Sequence, residues 1–476
     1  MRLRHLTIAF IFIVFSLAGC STFQHKPISP DQTAAAFESR TLDNLGLREF
    51  LKANLGREVT PWPPTAWSFP LLALVAFYYH PELDVARAQW GVASAGVVTA
   101  AGRPNPSVAF TPQYATNAAT GISPWILNFT FDIPIETAGK RGYRIDQARH
   151  LSEAARLNVA NVAWQVRSRL RARLIDLYAA SEAEELLESQ RSVQDAIVKL
   201  LEQRLSYGEA SQPDVTLARV SFAQTSLSLR DAQKRKAEAR VQVADALGLP
   251  VAALDGVSIS FDFLNRVSSS VKPILAEVRR RALFNRADIL AALTEYSASQ
   301  SALQLEIAKQ YPDVHLGPGY EFDQGENRWS PLGFSITLPL FNQNQGPIAE
   351  ATARRRETEA RFNALQARVI GEVDRAFAGY QAVLQSLEMA DALVSSRQQQ
   401  QQSVQAMFDI GQSDRLELTS SQLEADSAMV SSLEVFVKVE QSLALLEDAM
   451  ESPLDPSELF AIAPEMNPRS TEGNKP

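Results

Sequence analysis

Four side chains late in the chain have a spacing that suits ion chemistry. Asp414, Glu417, Ser421 and Glu424 recur at i, i+3, i+7 and i+10, so a helix would place them on one face. Carboxylates gathered in this way attract cations and repel one another in a pH-dependent manner. The same letters also read as helix N-caps. Asp414-x-x-Glu417 and Ser211-x-x-Asp214 both have capping-box spacing, in which one side chain satisfies helix N–H groups and the other reaches back. Glu417 also aligns with Asp214 across an internal repeat described below. The sequence leaves capping and ion attraction both open. A further reactive group is Cys20, the only Cys. It follows Arg2 and Arg4, an apolar run from Leu6 to Leu17 and the small residues Ala18-Gly19, which together have the form of a lipoprotein signal peptide over 1–19. The expected chemistry is a thioether-linked lipid on Cys20; an ordinary cleaved leader is the alternative.

Other candidates are weaker. His5, His25, His80, His150 and His315 lack an i+4 partner or a carboxylate cluster, so no metal site is expected. Arg167, Arg169, Arg171 and Arg173 alternate, which winds around a helix instead of lining a groove. Nearby Asp176, Glu182, Glu184 and Glu185 are their expected ion-pair partners. No G-x-S-x-G, Walker A loop or H-E-x-x-H occurs, so neither a catalytic residue nor a cofactor beyond the lipid is expected. Lys+Arg of 46 against Asp+Glu of 54 gives −8, and losing Arg2 and Arg4 with the leader would make it −10. An acidic chain without a basic domain is a poor nucleic-acid binder.

The elements that must position these residues are long. From Lys140 to about Ser206 no Pro occurs, and no Gly after Gly142, so one helix of ~100 Å is expected. A second runs from about Pro347 to Asp409. Shorter helices are expected over Leu71–Ala101, with a break at Pro81, and over Pro213–Leu247; end to end they would nearly match the long one. The turns Tyr207-Gly208 and Ile410-Gly411 join the helices, with each Gly at the C′ position.

The chain also contains itself twice. Trp125–Ile135 and Ser330–Leu340 both end in apolar-Pro-apolar, 205 residues apart, and each precedes a long helix. Halves of 71–249 and 274–451 follow, each reading helix, strand, strand, long helix, helix. They are joined by an inter-repeat segment at 250–273, preceded by an extended linker over 20–70 and followed by a disordered tail over 452–476. Strands are expected over about 104–135 and 311–341. Trp125, Leu127, Phe129, Phe131, Ile133 and Ile135 alternate with polar residues, as do Leu332, Phe334, Ile336, Leu338 and Leu340. Such runs mark membrane β-barrel strands, although a single one could edge a soluble sandwich. Four strands cannot close a barrel, because eight is the smallest usual number. Three copies would give twelve.

These features together resemble the TolC-like outer-membrane factor family over about residues 70–450. Leu338–Gly346 and Pro134–Arg144 are similar to the strand-to-helix junctions of its CzcC-like heavy-metal efflux branch. The resemblance implies a mainly α fold with a small membrane β part: as a homotrimer, a 12-stranded β-barrel on a long α-helical barrel. It further implies a Gram-negative outer membrane, a periplasmic adaptor and an inner-membrane resistance-nodulation-division pump. Cargo would be divalent metal cations, or alternatively drugs and other organic solutes. In the family the turns are the periplasmic tips, which assigns Tyr207, Gly208, Asp214, Ile410, Gly411, Asp414 and Arg415 to adaptor docking and makes Glu417 and Glu424 candidate gate residues. A periplasmic adaptor lipoprotein is a distant alternative, since it would carry one hairpin and not two.

Overall fold

The computed structural model describes residues 22–264 and 273–454. The leader and Cys20 lie outside the described residues, as does all of the tail beyond Leu454. Residues 22–41 belong to a small unit of their own, with one helix, α1 (Pro30–Glu38). Everything that follows concerns the larger unit, from Leu42 onward.

Its first half holds α2 (Leu45–Leu55), α3 (Phe69–Tyr79), α4 (Pro81–Ala101), β1 (Ser107–Tyr114), β2 (Trp125–Ile135), α5 (Lys140–Ser206) and α6 (Gln212–Leu247). The second holds α7 (Leu275–Asn285), α8 (Ala287–Ala308), β3 (Val314–Leu316), β4 (Gly319–Asp323), β5 (Glu326–Ser330), β6 (Phe334–Ile336), α9 (Gln345–Asp409) and α10 (Arg415–Met450). At 67 and 65 residues, α5 and α9 are each ~100 Å long. Each is paired with two shorter helices: α4 and α6 lie along α5, while α8 and α10 lie along α9. Pro81 fixes the break between α3 and α4, because a Pro at the first helical position needs no donor. The end of α6 meets the break between α3 and α4 closely at Gly248. A Cβ there would lie 2.8 Å from the Tyr79 carbonyl oxygen, and φ is +71°, so both contact and conformation require Gly.

The segment read as an extended linker is corrected in part. Within 20–70 the chain forms α1 and α2, and Leu47 and Leu51 of α2 are fully buried. The reason is α3, whose FPLLALVAFYY sequence is apolar all round and must be covered on every side. Trp67 completes the cover: its N–H donates to the Ser258 carbonyl (2.9 Å), and its own carbonyl accepts from Ser260 (3.0 Å). Residues 42–67 and the described part of the inter-repeat segment, 250–264, therefore close over one core with α5 and α6. A second core, built on Val278, Ile289, Val369, Val373, Leu443 and Met450, unites α7 to α10.

The sheet also departs from expectation. The second half yields four short strands where two were expected, and Leu338 and Leu340 fall outside them. Pro318 and Pro331 cause the interruptions, since neither can donate to a ladder. Single hydrogen bonds bridge the gap: Phe131 N–H to the Pro318 carbonyl (3.0 Å) and Gly317 N–H to the Gly333 carbonyl (2.8 Å). Thus β3 and β4 form one path beside β2, and β5 and β6 another outside it, with β1 on the opposite flank. All pairs are antiparallel. In the register Phe110, Phe129, Tyr320 and Trp329 line up on one face, while Thr111, Asn128, Glu321 and Arg328 line up on the other. Among the described residues β1, β5 and β6 keep free outer edges.

Candidate functional site

The residues singled out by spacing gather at the hairpin turns, far along the helices from the sheet. After α5 the chain turns at Tyr207-Gly208 (Gly φ +76°), and after α9 at Ile410-Gly411 (Gly φ +77°). Each left-handed Gly lets following N–H groups close on the last helical carbonyls: Glu209 donates to Arg204 (2.8 Å) and Gln412 to Met407 (2.8 Å). Tyr207 and Ile410 stand out from these turns at 71% and 69% exposure, so each turn carries a large, uncovered side chain.

Both cap assignments can now be tested. Ser211 and Asp214 form the full reciprocal box at the start of α6. The Ser211 N–H donates to Asp214 Oδ2 (3.0 Å) and the Asp214 N–H to Ser211 Oγ (3.4 Å). The Ser211 hydroxyl, which also donates to Asp214 Oδ2, and the Ser211 N–H hold the Asp214 carboxyl below its ordinary value. Asp414 caps α10 by accepting from the Glu417 N–H (2.9 Å). Glu417 does not complete a box; its carboxylate accepts from the Ser413 hydroxyl (2.7 Å). Asp414 has a second engagement that the sequence did not announce. Arg204 Nη2 donates to its Oδ2 at 2.7 Å, joining the end of α5 to the start of α10 across both turns. That guanidinium, together with the Glu417 N–H, lowers the Asp414 carboxyl. Arg415 follows as the first residue of α10.

The face expected to carry Asp414, Glu417, Ser421 and Glu424 is not one open surface. Ser421 is buried, and its hydroxyl donates to the Leu418 carbonyl of its own helix (2.8 Å). Glu424 accepts from Arg397 Nη1 of α9 (2.7 Å) and from Gln400 (3.2 Å). Two residues on, Asp426 is buried and accepts from the Ser189 hydroxyl of α5 (3.2 Å); burial raises its carboxyl. Sequence spacing overlooked it because only the position of α5 decides which face of α10 is covered. Above the turns a cleft of about 530 Å³ runs between α5, α6 and the start of α10, lined by Ile197, Leu201, Asp214, Leu217, Leu416 and Leu423.

The arginine run is the larger correction. Arg173 does pair with Asp176 (3.2 Å), but Arg169 reaches Glu82 of α4 (3.0 Å), and Glu184 is engaged by Lys236 (2.7 Å). Arg167 and Arg171 are about 1% exposed and face α10. Arg167 lies 3.8 Å from Glu447, while Arg171 bonds Glu447 and lies 3.8 Å from Glu440. Their planes also lie over Phe69, Trp164 and Phe263. The partners come from the other repeat, about 270 residues away. No local pattern could name them. At the other end of α5, Lys140 donates to Asp313 (2.7 Å) and the Tyr311 carbonyl (2.7 Å), fixing the sheet to the helices. Among the described residues no group of three or more His, Cys, Asp or Glu is arranged to hold a metal ion, and no helix is long and apolar enough to cross a membrane. His315 instead contacts Asp132 (2.9 Å) between β3 and β2.

Comparison with known proteins fits this geometry. The cobalt-zinc-cadmium resistance protein CzcC of Cupriavidus metallidurans is 27% identical over 271 residues, or 57% of this chain and 62% of its own length. The chain thus aligns with a little under two thirds of that relative. The nickel-cobalt-cadmium resistance protein NccC of Alcaligenes xylosoxydans xylosoxydans is 22% identical over 73% of this chain and 77% of its own. The solved outer-membrane channel OprN shares the fold, with a TM-score of 0.62 at 19% identity over 90% of this chain and 98% of that one. The sequence profile of outer membrane efflux proteins matches residues 76–249 and 278–450, one stretch in each repeat and most of the chain in all. The chain belongs to the outer membrane efflux protein family.

Proposed function

We propose that this chain is the outer-membrane channel component of a tripartite resistance-nodulation-division efflux system, and that it conducts divalent heavy-metal cations passively to the exterior. It works as a homotrimer with a periplasmic adaptor and an inner-membrane pump, and has no enzymatic step of its own. The observation that carries this reading is the open-edged sheet set on ~100 Å helical hairpins. Its exposed apolar face (Val108, Phe110, Trp125, Phe129, Phe131, Ile133 and Trp329) suits lipid, and its other face carries Asn128, Asp132, Glu321 and Arg328. One chain leaves edges unpaired, and sharing the sheet among three chains removes them. The metal cargo is supported by the names of CzcC and NccC.

In this reading the turns are the periplasmic tips. Tyr207, Gly208, Asp214, Ile410, Gly411, Asp414 and Arg415 meet the adaptor, and Glu417 and Glu424 lie at the constriction. Cys20 carries a lipid that assists the barrel in holding the outer membrane. A Cys20→Ala variant is expected to lose metabolic palmitate labelling; persistent label would remove the lipid assignment. For the cargo, an in-frame deletion strain is grown across zinc, cobalt, cadmium, nickel and copper, with dyes and antibiotics alongside. Metal sensitivity restored by the wild-type chain is the expected result. Sensitivity to dyes and antibiotics alone would transfer the cargo to organic solutes.

A further inference from the structure

The end of α10 is buried in a cluster of charges that the channel reading does not use. On α10 itself stand Glu440, Glu447 and Asp448, with Glu451 at its C-cap. From α5 come Arg167 and Arg171, paired with Glu447 and Glu440 as described, and Trp164 Nε1 and the Ser168 hydroxyl, which both donate to Asp448. From the α7–α8 junction comes Arg286. It donates to Asp288 (2.7 Å), to Glu372 of α9 (3.2 Å) and to the Ala449 carbonyl (3.0 Å), and its Nε lies 3.9 Å from Glu451. The Ala287 N–H donates to Glu451 Oε2 (2.8 Å), and the Leu454 N–H to Glu447 Oε1 (2.8 Å). Besides Glu372, α9 presents Arg375, at the rim of a neighbouring cavity, and the buried Tyr380; α5 adds Tyr178. The outer Arg279–Asp374 pair is satisfied within itself (2.7 Å).

The balance of this cluster is uneven. Four carboxylates of α10 and its cap meet three buried guanidiniums, and Asp288 and Glu372 already engage one of those three. A buried carboxylate without its own cation takes up a proton rather than stay charged. Among the described residues Asp448 has no guanidinium paired with it and burial raises its carboxyl too, but Trp164 and Ser168 both donate to it. Glu451, held by the Ala287 N–H and by a guanidinium that is distant and shared, is the place for the proton. We propose that the C-terminal end of α10 is a proton-dependent clasp: with a proton held at Glu451, α10 is fastened to α5 and α8, and loss of that proton loosens the fastening. Burial, with the Asp288 charge beside it, pushes the Glu451 carboxyl up to about 7. The folded clasp therefore binds the proton more tightly than an unfolded chain does. Its stabilisation is complete below pH 4.5 and is lost as pH rises through about 7. Any consequence for conduction, with α10 swinging from this end, rests on the channel reading; the clasp itself does not.

The test uses the full chain purified in detergent. Amide hydrogen exchange over Val439–Met450, corrected for the intrinsic rate, is compared between pH 6 and pH 9. Infrared difference spectra over the same range report any protonated buried carboxyl. Wild type is expected to exchange about tenfold faster at pH 9, which corresponds to roughly one pKa unit of linkage, and to lose a carboxyl band. Glu451→Gln should keep the protected rate at both pH values and lack that band. Asp288→Asn, which removes the neighbouring negative charge, should shift the wild-type midpoint to lower pH and covers the case that Glu451→Gln fails to fold. Equal protection of the wild type at both pH values, or a full pH response and band in Glu451→Gln, would overturn the clasp. Neither readout requires conduction, so a protein that forms no channel would refute the proposed function and leave the clasp standing.

Discussion

Arg171 shows how much one side chain can depend on a distant partner. It is buried beside Glu447 and Glu440, and charges taken out of water are tolerable only while each has its counter-charge. Glu447→Ala would remove the counter-charge that Arg167 and Arg171 share, at a cost of about 3–5 kcal/mol. Its thermal transition in detergent should fall accordingly. Replacing the pair together, as Arg171→Met with Glu447→Leu, should recover only part of the loss, because volume is kept but Arg167 and Glu440 each lose a counter-charge. If Glu447→Ala melted like wild type, the network would not be buried in solution. The Arg side chains were conspicuous in the sequence and ion pairing is their use, but Arg167, Arg169 and Arg171 take partners other than the nearby carboxylates. Arg167 and Arg171 lie four apart on one face of α5, and the face they share is covered only because α10 returns over it.

The two hairpin turns look alike in sequence yet are held differently. Ser211 and Asp214 satisfy each other within α6, whereas Asp414 both caps α10 and binds Arg204 of α5. These two roles separate by substitution. Arg204→Ala removes an exposed ion pair, which solvent screens and which contributes little. Asp414→Ala removes the cap as well, adding about 1 kcal/mol. Amide exchange at Leu416–Leu418 should therefore rise more in Asp414→Ala than in Arg204→Ala, with Asp414→Asn close to Arg204→Ala because an Asn oxygen still caps. Equal effects of Arg204→Ala and Asp414→Ala would mean that the cap contributes nothing. The caps were legible because they are local, set by residues three apart. The Arg204 link was not, since it joins positions 210 residues apart.

At the scale of the molecule, the sheet decides what one chain can be alone. Its flanking strands keep free edges, and one face exposes Phe110, Phe129 and Trp329. If that face meets lipid, Phe129→Arg should disfavour insertion by about 2–4 kcal/mol near the bilayer midplane, while Asn128→Arg, on the opposite face of the same strand, should be tolerated. The yield of membrane-inserted protein measures both. Equal loss in the two variants would mean that the faces are not lipid and lumen. The alternation that reveals these faces is a period-two signal and needs no tertiary information. The breaks at Pro318 and Pro331 were also present in the sequence, but their effect was missed: a Pro cuts a ladder only where a neighbouring strand needs its N–H.

The sequence by itself determined the periodic and the local features. These are the Pro-free helices, the alternating strands, the Gly turns and the Asp414 and Ser211 caps, all consequences of residues within a few positions of one another, together with the doubled halves, which show when segments 205 residues apart are compared. The tertiary structure decided which surfaces are covered. It folded residues 42–67 over α3, buried Arg167, Arg171 and Asp426, gave Glu424 to Arg397, and gathered the carboxylates at the end of α10. A charge is read from the sequence as a charge. Whether it faces water or another charge depends on a helix that returns from the other half of the chain.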